Sequence, residues 1–134
     1  MMIDMTNETT FKSTLATEIA AKCMSRSEDE SVHFDRLKDV PLTSVEQAAE
    51  TAVAMAETKA CAQLYRKFAG IAKWFIDADL TFAEVRLGMM SELVDLAIEG
   101  ADDRWSGRGN DLARSANDAR LKQIGRIRSM INAG

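Results

Sequence analysis

Proline occurs once, at Pro41, and before residue 100 the only glycines are Gly70 and Gly88. Residues that end or interrupt helices are therefore rare. The two cysteines, Cys23 and Cys61, lie far apart, no CxxC occurs, and His33 is the only histidine. That inventory argues against a zinc site and against a disulfide framework, and both cysteines read as small reduced core residues. No G-x-S-x-G accompanies His33, so a Ser/His/Asp triad finds no support and His33 reads as a surface residue. A Walker sequence is also missing. No run of 18 apolar residues is present, so no membrane span is expected. Asp4 and Glu8 stand where a secretory signal would carry positive charge, which points to the cytoplasm.

What is present favours helix. The 134 residues suit one domain, and 46% are hydrophobic, enough to build a core without staples. Alanine, leucine, methionine and glutamate dominate, all strong helix formers. The expected fold is all-α, a single domain resembling a four-helix bundle, with helices over about 7–24, 44–76, 81–99 and 111–132.

Phe11, Leu15, Ile19 and Cys23 recur at four-residue spacing and mark the first helix. A polar connection follows over 25–43, including Ser27-Glu28-Asp29-Glu30-Ser31, and within it Val32, Phe34, Leu37 and Val40 suggest one short helix that still touches the core. In the second helix Thr43 and Glu46 have capping-box spacing. Its apolar stripe is Val45, Ala49, Ala52 and Ala56, then Leu64, Phe68, Ile71 and Phe75. The stripe centre rotates by roughly a third of a turn at about 100° per residue, so a continuous helix should change partner near residues 58–63. The third helix has a capping box, Thr81 with Glu84, and a staple pair, Leu80 with Val85. Gly100 should stop it. Its apolar arc covers more than half its circumference, which predicts the central helix of the fold.

Charge is uneven. Arg104, Arg108, Arg114, Arg120, Lys122, Arg126 and Arg128 meet only Asp111 and Asp118 in that stretch, giving it +5 against −4 for the whole chain. Nucleic-acid binding through residues 104–128 is therefore one alternative reading. The segment Arg104-Trp105-Ser106-Gly107-Arg108-Gly109-Asn110 reads as a loop before a helix N-terminus, suited to an anion. Arg86 projects into the apolar arc of the third helix, so it should be mostly buried and paired with an acid such as Asp77, Asp79 or Glu57.

Glu92 and Asp95 are three apart on one side of that helix. The pair resembles the ExxD of helical nucleotide pyrophosphohydrolases of the MazG type. That resemblance implies magnesium held together with glutamates of the preceding helix. Here the preceding helix offers Glu46, Glu50 and Glu57 at spacings of four and seven, without the family's ExxE. A metal-dependent nucleotide hydrolase is accordingly a second alternative, and a solvated face or one docking the basic fourth helix is the simpler account. The leading reading is a cofactor-free, non-enzymatic interaction module, such as a regulator, adaptor or inhibitor, that self-associates or binds a protein partner. Alanines 48, 49, 52, 56 and 60 and eight methionines favour close helix contacts. The residues carrying the binding role are Arg86, Arg104, Trp105, Arg108 and Arg120.

Overall fold

The computed structural model describes the backbone of residues 2–106 and 111–133, and the side chains of residues 14–99 and 112–133. Four helices account for nearly all of it: α1 (Met2–Lys38), α2 (Val45–Ile76), α3 (Phe82–Ser106) and α4 (Asp111–Ala133). No strand occurs among the described residues. The expected all-α bundle is therefore present.

The first difference is the length of α1. The segment expected to be a polar connection from residue 25 is helical to Lys38. The reason is a seam with seven-residue periodicity, Ala16, Ala20, Cys23, Ser27, Glu30, Phe34 and Leu37. These positions are buried as far as Ser27 and half-buried beyond it, while Glu28 and Asp29 point to solvent. Ser27 fits inside because its hydroxyl donates to the Ala62 carbonyl oxygen at 3.0 Å, satisfying a group that is 1% exposed.

α2 carries the matching seam: Ala48, Thr51, Met55, Thr58, Ala62, Tyr65, Ala69 and Ala72. Small residues on both sides let the backbones approach closely, and α1 with α2 forms the most extensive helix pair. The pair is antiparallel, since Ser27 meets Ala62 and Arg26 lies 5.9 Å from the Tyr65 ring. The helix is unbroken across residues 58–63. Its stripe rotates because α2 gains a second seam, Cys61, Leu64, Phe68 and Phe75, while keeping the first. It thus adds partners where the sequence suggested a change of partner. Its cap also moves by one residue: the Ser44 hydroxyl accepts from the Gln47 backbone N–H at 3.1 Å.

The central helix is α2, which packs along α1 and α4, whereas α3 rests mainly on α4. This corrects the expectation for α3. Its wide apolar arc is only partly covered: Leu87, Val94 and Ile98 are 71%, 54% and 55% exposed. α3 also continues through Gly100 to Ser106. A single glycine within a helix costs about 1 kcal/mol, which neighbouring turns can absorb. The capping box forms as expected, with Thr81 N–H donating to Glu84 Oε1 at 3.1 Å and Glu84 N–H to Thr81 Oγ1 at 3.2 Å. The staple residues Leu80 and Val85 both join the main core.

α3 runs antiparallel to α2, with Gly88 beside Phe75 and Glu99 beside Lys67. Gly88 is required by this approach. A Cβ there would stand 2.7 Å from Phe75 Cε1 and 2.8 Å from Cζ. Gly88→Ala is expected to cost about 1–2 kcal/mol, because displacing a buried ring outweighs the gain in helix propensity. In a Phe75→Leu background the same substitution should become stabilising, and urea unfolding of the four proteins reads the reversal. α4 lies parallel to α2, since Tyr65 reaches Gln123 while the turns around Thr58 and Ser115 line one cleft.

The core gathers Leu15 to Cys23, Leu64 to Phe75, Val85 to Leu96 and Ile124 to Ile131. Between residues 28 and 57 only Thr51 is buried, so the closed end of the α1–α2 hairpin is thinly packed.

Candidate interaction surface

The outward face of α3 follows from its sequence. Leu87, Val94 and Ile98 recur at spacings of seven and four and fit the a/d pattern of a helix seam, while Met90 and Ala97 beside them are half-buried against the core. Val85, Met89, Leu93 and Leu96 occupy the opposite side and enter the core. α3 therefore has two apolar faces, and its own bundle covers one. A line of large aliphatic side chains in water is unfavourable unless something covers it.

Arg86 lies on α3 between these faces. It is half-buried, and among the described residues no carboxylate lies within ion-pair distance. This corrects the expected salt bridge. The guanidinium instead sits 5.0 Å from the Phe82 ring centroid, one turn earlier on the helix, and its Nε has no hydrogen-bond partner. The ring supplies part of what a carboxylate would have supplied, and the rest of the charge stays near water.

Arg120 is turned towards the bundle, its side chain 15% exposed, with Nη2 3.9 Å from Glu99 Oε2. Lys67 Nζ reaches the same oxygen at 3.3 Å. One α3 carboxylate thus ties α2 to α4, and the acidic stripe docks the basic helix at this point. Glu99 is 55% exposed on its side chain, so each contact contributes at most about 1 kcal/mol. Arg120 Nη1 has no partner. Arg114, Lys122, Arg126 and Arg128 are exposed but flank α4 on opposite sides of its buried face, so they form no single basic stripe. The side chains of Arg104, Trp105 and Arg108 lie outside the described residues. The backbone of residues 100–106 is helical, where a loop was expected.

Glu92 borders a groove of about 460 Å³ with Lys67, Gly70, Ile71, Trp74 and Phe75. No other acid among the described residues lines it. Among the described residues no three His, Cys, Asp or Glu side chains are placed to hold a metal ion. Glu92 and Asp95 therefore have no third such side chain beside them among the described residues. Trp74 is 67% exposed and packs edge-on against Phe75 at 5.0 Å between centroids. Sequence reasoning placed no weight on Trp74, although its position opposite the α1 seam of α2 was there to be read.

No helix among the described residues is long and apolar enough to cross a membrane. No protein family, curated protein or solved structure matches this chain.

Proposed function

We propose that the chain is a cytoplasmic, non-enzymatic protein–protein interaction module that self-associates through the outer face of α3. The supporting observation is the row Leu87, Val94 and Ile98, each more than half exposed at the spacing of a helix seam. An identical α3 presents the same row, so a twofold pair buries both at once. The acids Glu92, Asp95 and Glu99 stand to one side of the row, so the pairing does not bring them into the seam. Regulator, adaptor and inhibitor roles all fit such a module.

Light scattering over a dilution series tests this reading. The native chain should show the mass of a dimer that dissociates on dilution. Leu87→Glu with Val94→Glu should give one-chain mass at every concentration while keeping native helicity by circular dichroism. A native chain of one-chain mass throughout, or a dimer that survives both substitutions, would overturn self-association through this face.

A further inference from the structure

The exposed row on α3 also bears on how two copies meet, a step that rests on the self-association proposed above. Ser91 stands among Leu87, Val94 and Ile98, and all four are exposed. Leu87 and Val94 are seven apart, as are Ser91 and Ile98, and the two sets interleave as the d and a positions of a seam. Glu84 falls one repeat before Ser91, on the same line, in the first turn of α3. The two flanks of the row differ. Met90 and Ala97 border it on one side, Gly88 and Asp95 on the other.

In a parallel pair each seam residue faces its own copy. The two Glu84 carboxylates would stand directly opposite, Ser91 would face Ser91, and Asp95 would lie against the partner's Met90. The helix dipoles would be aligned side by side, which is unfavourable. An antiparallel pair centred between Ser91 and Val94 has none of these conflicts. Leu87 packs on the partner's Ile98, and Ser91 on the partner's Val94. On the flanks Met90 meets the partner's Ala97, and Asp95 falls beside the partner's Gly88, which has no side chain to displace. The two Glu84 carboxylates move to opposite ends, about 25 Å apart along the axis at about 1.5 Å per residue. Like charges are separated, the dipoles oppose, and the uncharged flanks meet each other. We infer that the α3 helices of two copies pair antiparallel, with Leu87 of each against the partner's Ile98.

Disulfide trapping tests the orientation, while light scattering on the same samples reports self-association separately. In the antiparallel pair the two copies of position 87 lie about 16 Å apart along the axis, too far for a disulfide, and so do the two copies of position 98. Leu87→Cys alone and Ile98→Cys alone should therefore stay unlinked under mild oxidation, whereas a mixture of the two should cross-link about tenfold faster than either. The native Cys23 and Cys61 are buried and do not compete. A spin label on Ala83→Cys leaves the seam intact and decides the matter should either cysteine variant fail to pair. Electron resonance should place the two labels at least about 28 Å apart, whereas a parallel pair holds them side by side. Disulfides in either single variant, or labels side by side, in a chain of two-copy mass would overturn the orientation and leave self-association standing. So would a mixture of two-copy mass that forms no disulfide. A native chain of one-copy mass at every concentration would overturn both.

Discussion

Raising the pH from 9 towards 11 is expected to strip stability from this protein through its two buried thiols. Burial pushes Cys23 to about 11, with Arg26 opposing, and burial with Glu30 and Glu57 pushes Cys61 to about 11, with Arg126 opposing. In the unfolded chain both ionise near 9.0. The folded state therefore holds protons that the unfolded state releases, and stability falls as pH rises through this window. The contribution is whole below pH 9 and gone above 11. After allowance for partial solvation of each site, the loss is roughly 1–2 kcal/mol per thiol. Tyr65 acts in the same direction at higher pH, since burial also raises its phenol. Urea midpoints across the alkaline range should slope downwards in the native chain, and Cys23→Ala with Cys61→Ala should remove most of the slope. An unchanged slope in that variant would assign the loss to other groups.

Tyr65→Ala is expected to have the largest effect of any single substitution described, about 3–5 kcal/mol. Tyr65 is 0% exposed and stands where three helices meet. Its ring lies under Arg26 of α1, its backbone belongs to α2, and its hydroxyl donates to Gln123 Oε1 of α4 at 2.5 Å. The loss is a large share of the stability of an ordinary domain, so the variant should be partly unfolded at 37 °C. Tyr65→Phe separates packing from polarity. Gln123 Oε1 keeps Arg126 Nη1 as a donor at 3.2 Å, so losing the hydroxyl should cost only about 1 kcal/mol. Equal losses in the two variants would show that the hydrogen bond, not the ring, joins the helices.

Tyr65 also illustrates what could be read from the chain alone. Helices α2 and α3 were legible because their starts carry local chemistry, and Thr81 with Glu84 bonds as its spacing predicts. The second half of α1 was not. Its Ser27-Glu28-Asp29-Glu30-Ser31 run looks like a linker until Ser27 and Glu30 are seen to fall on a seven-residue seam with Glu28 and Asp29 in solvent, Ser27 being satisfied by a carbonyl 35 residues away. Arg86 stood out in the sequence but was expected to meet a carboxylate, although Phe82 stood four positions earlier at helical contact distance. The breadth of the apolar arc on α3 was correctly seen. Periodicity does not distinguish a face covered by the same chain from one left outside, so the helix was placed too deep. The cleft beside Thr58 and Ser115 had no local signature, because Glu30, Glu57, Cys61 and Asp118 come together only through the register of three helices.

The thin packing of the α1–α2 hairpin between residues 28 and 57 has a consequence for how the molecule breathes. With Thr51 alone buried there, separating the two helix ends exposes little that was dry. Amide protons should therefore exchange with deuterium in a mirrored gradient, fastest around the bend at Pro41 and slowing along both helices towards Cys23 and Tyr65. The hairpin would open from its tip like tweezers while the four-helix end stays shut.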